Sequence, residues 1–265
     1  MLSQLRLTAI IGICAVMLSA SCSTGAQPAP AKYSVLTIEV KPGMNGQFEE
    51  FIHKFRDAVE KNKGPQRWRA NASVSGNQVY NFTREFGTWT EFGQDAPEPL
   101  VAAYGEQEAG RLLGLLQTSV ASTTTAIYVA RPDLSRPRPA NAANAAAAAV
   151  AVLYIDLNVK LGKEQQFEDN TKKLIEATNA TAPNDFWEMR QRMFGPGNGA
   201  GYRVVVVFQK WSDLDAPDKP LRQRLTEHFG TAEGERLDAL GTDSLQGINQ
   251  RLNRVRADLG RPPAN

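Results

Sequence analysis

The segment Tyr33 to Val40 reads YSVLTIEV and alternates in polarity. Leu36, Ile38 and Val40 fall on one side, Thr37 and Glu39 on the other. This spacing predicts a strand with one apolar and one partly polar face. Val150 to Val159 repeats the pattern, with Leu153, Ile155, Leu157 and Val159 opposite Asp156 and Asn158. A glycine, Gly43 or Gly162, breaks each strand, and a helical spacing follows, with Phe48, Phe51, Ile52, Phe55 and Val59 in the first instance. Trp68 to Val74 and Trp187 to Phe194 read as second strands, and Gln78 to Phe86 and Tyr202 to Phe208 as third strands. Second helices are expected around Glu106 to Leu116 and Glu233 to Leu240, and last strands around Thr123 to Ala130 and Ile248 to Val255. The predicted order is β-α-β-β-α-β, twice.

The two series align on each other. Lys41 to Glu50 matches Lys160 to Asp169, and the same shift of 119 carries Trp68 onto Trp187. The segment TWTEFGQDAPEPL (88–100) echoes KWSDLDAPDKPL (210–221), placing Trp89 on Trp211. Val101 to Leu134 aligns without a gap on Thr226 to Leu259 and pairs Arg131 with Arg256. The expected organisation is a first repeat at 33–131, a Pro/Ala-rich linker at 132–149, a second repeat at 150–260 and a tail at 261–265. Each repeat is a ferredoxin-like βαββαβ unit that covers one sheet face with helices and leaves the other in need of a partner. The expected fold class is α+β, with the open faces enclosing an interior. They close on each other as an internal pseudo-dimer or across a homodimer.

The N-terminus changes where the chain is expected to work. Arg6, an apolar run to Leu18 and a small-residue stretch ending Thr24-Gly25-Ala26 have the order of an export signal over residues 1–26, with 27–32 as a short N-terminal linker. Leu18-Ser19-Ala20-Ser21-Cys22 also resembles a bacterial lipoprotein box, which would end the signal before Cys22 and attach a lipid there. Its Leu stands four residues before the Cys rather than the usual three. The expected location is periplasmic or extracellular, with lipid anchoring at Cys22 as the rival. Cys14 and Cys22 are the only cysteines, so the folded part has no disulfide and no thiolate chemistry. Subtracting Arg6 from 30 basic residues leaves 29 against 28 acidic, which gives no electrostatic reason to propose nucleic acid.

The Val40-Lys41-Pro42-Gly43 turn into Phe48-Glu49-Glu50-Phe51, Trp68, and Phe86-Gly87-Thr88-Trp89, with their second-copy equivalents, resemble the dimeric α+β barrel superfamily. That superfamily includes antibiotic-biosynthesis monooxygenase-like, EthD-like and NIPSNAP-like proteins. The resemblance implies a barrel of two βαββαβ repeats. It says little about activity, because this superfold hosts peroxidases, isomerases, cofactor-free monooxygenases and plain ligand binders. Some haem-binding members carry a proximal His in their second copy, which makes His228 the haem candidate of this chain.

Within such a barrel the polar strand faces point inward. Glu39, Asp156 and Asn158 lie on them, with Arg84, Arg190 and Arg203 on neighbouring strands as partners. Glu39, Asp156, Asn158, Arg84 and Arg190 are therefore the expected ligand-binding set, and Glu39 and Asp156 the catalytic candidates. Glu39 aligns with Asn158 and Ala103 with His228, so the halves differ and one ligand fits better than two. Trp68, Trp187, Trp89 and Trp211 occur in pairs, which suits structural anchors. His53 reads as a solvated helix residue, Gly195 to Gly201 as a hairpin turn, and the arginine-rich C-terminus as a solvated edge strand. No metal site is expected, and no cofactor unless haem on His228. The leading expectation is non-catalytic binding of a small molecule, or a structural role at the envelope. The alternative is a cofactor-independent monooxygenase or isomerase acting on a small aromatic substrate.

Overall fold

A computed structural model of the chain describes residues 30–75, 78–93, 99–137, 149–197, 199–215 and 219–262. The export segment with Cys22, and most of the Pro/Ala-rich linker, lie outside the described residues. The elements run β1 (Lys32–Val40), α1 (Asn45–Lys61), β2 (Arg69–Ser73), β3 (Val79–Phe86), α2 (Trp89–Phe92), α3 (Pro99–Tyr104), α4 (Glu106–Ser119) and β4 (Val120–Ala130). They continue β5 (Ala151–Val159), α5 (Glu164–Thr181), β6 (Glu188–Phe194), β7 (Gly201–Phe208), α6 (Leu221–Phe229), α7 (Thr231–Ser244) and β8 (Leu245–Val255). The chain is a mixed α+β fold.

All eight strands join one closed barrel in the order β1-β3-β2-β8-β5-β7-β6-β4, with every neighbouring pair antiparallel. The two series close on each other within one chain. One seam sets β2 against β8, with Asn71 opposite Val255, and the other sets β4 against β6, with Tyr128 opposite Arg192. Strand β8 is paired on both sides, so the expected solvated edge strand at the C-terminus is corrected. Closure leaves the barrel without edges.

Helices cover the outside. Phe48 of α1 rests on Tyr80 of β3 at 4.7 Å between ring centroids, and Phe167 of α5 rests on Tyr202 of β7 at the same 4.7 Å. Phe48, Leu112, Val40 and Ile38 bury almost completely in one layer, each worth about 1.5–3 kcal/mol of transfer free energy. Since Tyr80 and Tyr202 face the helices, their neighbours Asn81 and Arg203 face the lumen.

Two arms tie the halves together. After β4, Arg131 forks onto Glu168 of α5 (Nη1–Oε1 2.5 Å) while Leu134 is fully buried and its carbonyl accepts from Trp187 Nε1 at 3.1 Å. After β8, Arg256 forks onto Glu49 of α1 while Leu259 is fully buried and its carbonyl accepts from Trp68 Nε1 at 2.9 Å. Each arm ends in a β-bridge, Arg136 to Trp187 and Arg261 to Trp68. Residues 132–136, read as linker from the sequence, are thus packed structure, and Arg261, read as the start of a tail, is 9% exposed. Trp68 and Trp187 each hold an arm by the bond from the indole to its carbonyl. Trp89 and Trp211 each open a short helical turn, Trp89–Phe92 and Trp211–Leu214, and both are exposed. Helices α3 and α6 precede the two expected second helices.

Candidate functional site in the barrel lumen

Register fixes which side chains share the lumen, because residues directly opposite each other in adjacent strands point to the same face. On β1 and β3 the lumen pair is Thr37 and Asn81; on β5 and β7 it is Asp156 and Arg203. The two pairs carry different chemistry. Thr37 donates from Oγ1 to Asn81 Oδ1 at 2.9 Å. Arg203 donates from Nε to Asp156 Oδ1 at 2.6 Å and from Nη2 to Asp156 Oδ2 at 3.0 Å, a bidentate ion pair.

The neutral side of the lumen is an amide network. Asn81 donates to Asn71 and Asn253, and Asn71 donates to the Tyr154 hydroxyl at 2.9 Å. All three asparagines are buried. Asn71 stands on β2 and Asn253 on β8, on either side of that seam, so the bonds from Asn81 to both also span the closure of the barrel.

The charged side is built on arginines stacked against phenols. The Arg203 guanidinium lies 4.8 Å from the ring centroids of both Tyr128 and Tyr154. Arg190 lies 3.5 Å from the Tyr33 ring and forks onto Glu188 at 2.9 and 2.8 Å. Burial works against the charge on Arg203, but its bond to Asp156 and the adjoining Tyr128 phenol outweigh that and hold its pKa above the ordinary value. Burial pushes the Tyr128 phenol up, opposed by Arg203, Arg192 and Arg190. Three guanidiniums therefore act on one phenol in one lumen.

Arg203 is 7% exposed, and its Nη1 has no hydrogen-bond partner. Thr83 Oγ1, on the lumen face of β3, is also buried without a partner. Buried donors are almost always satisfied, so each exception marks a place where a water, an ion or a ligand atom can be accepted. Asp156 keeps 31% of its side chain exposed, so the ion pair is open on its carboxylate side.

The expected ligand set is only partly brought together. Asp156, Asn158 and Arg190 face the lumen, and Glu39 faces it at the end of β1, where Oε2 accepts from Ser122 at 3.2 Å. Arg84 does not: it points to the helical side and donates to the carbonyls of Glu91 and Phe92, holding the α2 turn. His228 is also outside the lumen. It sits on α6 with its ring against Phe229 at 4.5 Å and Nε2 at 3.4 Å from Glu176. His53 on α1 is 3.8 Å from Asp258 of the second arm. The sequence reading passed over Tyr33, Tyr128, Tyr154 and Glu188, although Tyr154 lies two residues before Asp156 on the same strand face.

No family model matches the chain, and no curated protein matches it. Among solved structures, an anthrone oxidase-like protein is similar at 12% identity, covering 86% of this chain and 92% of that one, with a TM-score of 0.49. Chlorite dismutase from Candidatus Nitrospira defluvii is similar at 8% identity over 88% and 95%, with a TM-score of 0.48. A heme-binding protein from Thermus thermophilus is similar at 8% identity over 88% and 96%, with a TM-score of 0.45. These names run against two expectations, the non-catalytic role and the absence of a cofactor, and neither is carried further.

Proposed function

We propose that the chain is an enzyme of monooxygenase or isomerase type that takes a small aromatic substrate into the barrel lumen and stabilises negative charge on a substrate oxygen. The observation that carries this reading is the free, buried Nη1 of Arg203, held by Asp156 between the rings of Tyr128 and Tyr154. A guanidinium N–H left unpaired in a buried site costs about 1–3 kcal/mol, more because it is charged. An enolate or phenolate oxygen would accept it, and the donor is already oriented before that charge develops. Removing a proton beside an aromatic carbonyl creates such an oxygen. Isomerisation and reaction of a deprotonated aromatic with dioxygen share that first step. In this reading Arg203 holds the oxygen, Asp156 orients Arg203, the phenol rings flank the substrate, and Glu39 accepts the proton. The halves descend from one βαββαβ unit by tandem duplication, and replacing a Thr37–Asn81 pair by Asp156–Arg203 leaves one reactive site per barrel.

The test is proton exchange and oxygen uptake on a panel of small aromatic ketones and hydroquinones in deuterated buffer. Wild-type protein is expected to accelerate exchange at the activated C–H, and Arg203→Met to lose about 10²-fold, the usual scale for removing an oxyanion donor. Equal rates with and without wild-type protein across the panel would refute the reading.

A second reading is haem held by His228. Glu176 lies beside Nε2 of the ring, so Nδ1 is the nitrogen that would be left for the iron. Bound haem would supply iron-centred oxygen or peroxide chemistry. A Soret shift on adding hemin that is lost in His228→Ala supports this reading; an unshifted spectrum with wild-type protein rejects it.

A further inference from the structure

Two residues up β7 from Arg203, the lumen face reads Gly201. It stands opposite Asn158 of β5 and, by continuation of the β6–β7 register, beside Arg192. A Cβ on Gly201 would stand 2.5 Å from Arg192 Cζ and 2.7 Å from its Nη2, so the guanidinium lies directly over the bare glycine backbone. Gly197, in the hairpin above, meets the same guanidinium, with a Cβ there 2.7 Å from Nη1. Glycine at both positions makes the berth in which Arg192 lies. The only side-chain bond from that guanidinium among the described residues is a long one, 3.4 Å, to the Gly199 carbonyl, and no carboxylate pairs with it. It differs in this from Arg190 and Arg203, each forked onto an acid.

The charge around it points one way. The lumen faces of β5 to β8 carry Arg190, Arg192, Arg203 and Arg251 against Asp156 and Glu188. Two guanidiniums are spent on those two acids. Arg192 and Arg251 remain, and Arg192 stands at the open end, one step above a buried guanidinium nitrogen without a partner. A charged Arg held flat in a glycine berth, and unneutralised, is arranged to take a planar anion in two parallel N–H···O bonds.

We infer that the substrate is an aryl carboxylate, and that Arg192 is the residue that selects it, gripping the carboxylate at the lumen mouth while the ring passes inward toward Tyr128, Tyr154 and Arg203. This rests on the reading of the lumen as the substrate site. Neutral aromatics of the same shape would leave Arg192 unneutralised and bind less well.

The probes are 2-naphthoate and its neutral isostere 2-naphthamide, titrated into the full chain at neutral pH by calorimetry. Wild-type protein is expected to bind naphthoate at least 10-fold more tightly than naphthamide, with the preference shrinking as salt rises. Arg192→Gln is expected to abolish the preference by weakening naphthoate alone. Gly201→Ala, which pushes the guanidinium out of its berth without removing it, should do the same in part, and its thermal melt checks that the barrel is intact. A preference unchanged in both variants, or naphthamide binding as tightly as naphthoate to wild type, overturns the inference. If wild type binds neither probe, the carboxylate assignment fails as well. The proton-exchange assay on neutral ketones then judges the lumen reading separately, since it does not involve Arg192.

Discussion

Arg256 reaches Glu49 across the molecule, with Nη1 2.5 Å from Oε1 and Nη2 2.9 Å from Oε2. The same Glu49 accepts from the Tyr80 hydroxyl at 2.7 Å, so one carboxylate joins the second arm, the first helix and the third strand. Arg131, Glu168 and Tyr202 build the matching clasp on the opposite side.

These clasps set an acid limit on stability. The hydrogen bond from Arg256 holds the Glu49 carboxyl below its ordinary 4.5, and that from Arg131 does the same for Glu168. A carboxyl whose folded pKa is depressed contributes stability that is fully present above its unfolded pKa and lost as pH falls through the folded value. The melting temperature is therefore expected to hold above about pH 5.5 and to fall steadily below about pH 4.5. Glu49→Gln and Glu168→Gln should each cost about 1–2 kcal/mol at neutral pH and flatten that acid slope. Chemical denaturation across pH, with each variant, measures both effects.

The Asp156–Arg203 pair predicts unequal losses. Asp156→Asn strands a buried guanidinium and should cost about 3–5 kcal/mol, whereas Arg203→Met leaves a carboxylate with access to water and should cost less. The double substitution is expected to be more stable than Asp156→Asn alone. A double-mutant cycle by urea unfolding gives the coupling energy; a value near zero would mean that the pair contributes nothing.

The four tryptophans should separate into two classes. Trp68→Phe and Trp187→Phe each lose an indole bond to an arm carbonyl and should destabilise by about 1 kcal/mol, with alanine at either position costing about 3 kcal/mol. Trp89 and Trp211 are 45% and 40% exposed, and alanine there should cost under about 1 kcal/mol. Equal losses at all four sites in equilibrium unfolding would contradict the arm geometry.

Helices α6 and α7 cross at Gly234, where a Cβ would stand 2.5 Å from the Thr226 backbone. Backbone cannot yield as a side-chain tip does, so Gly234→Ala should destabilise by about 2 kcal/mol or more. Gly110→Ala on α4 meets nothing within 4 Å and should be neutral or slightly stabilising. Thermal melts of the two variants should therefore move apart.

Local pattern carried much of this fold. The alternation in β1 and β5 and the helical spacing of α1 were legible because each reports a face that must be buried. The short helices α3 and α6 were not, since they follow proline-rich segments and have too few turns to show a period. The arms were half legible: Arg131 and Arg256 align, yet residues 132–136 read as linker and Arg261 as tail, because what they pack against lies in the other half. In the lumen, Asp156 and Arg203 follow from strand alternation, and so does Tyr154. The stacking of Arg203 between Tyr128 and Tyr154 does not, because it joins β7 to strands that are not its sequence neighbours.

The reciprocal arms also impose an order of events on the growing chain. Synthesis begins at the N-terminus, so α1, Trp68 and Tyr80 exist long before Arg256 and Leu259 emerge. Until they do, Glu49 lacks its cation, Trp68 lacks its acceptor, and β2 presents a bare edge to any passing strand. A stretch made late completes a part of the molecule made early. A premature stop after residue 255 would therefore do its damage far upstream, at α1 and β2.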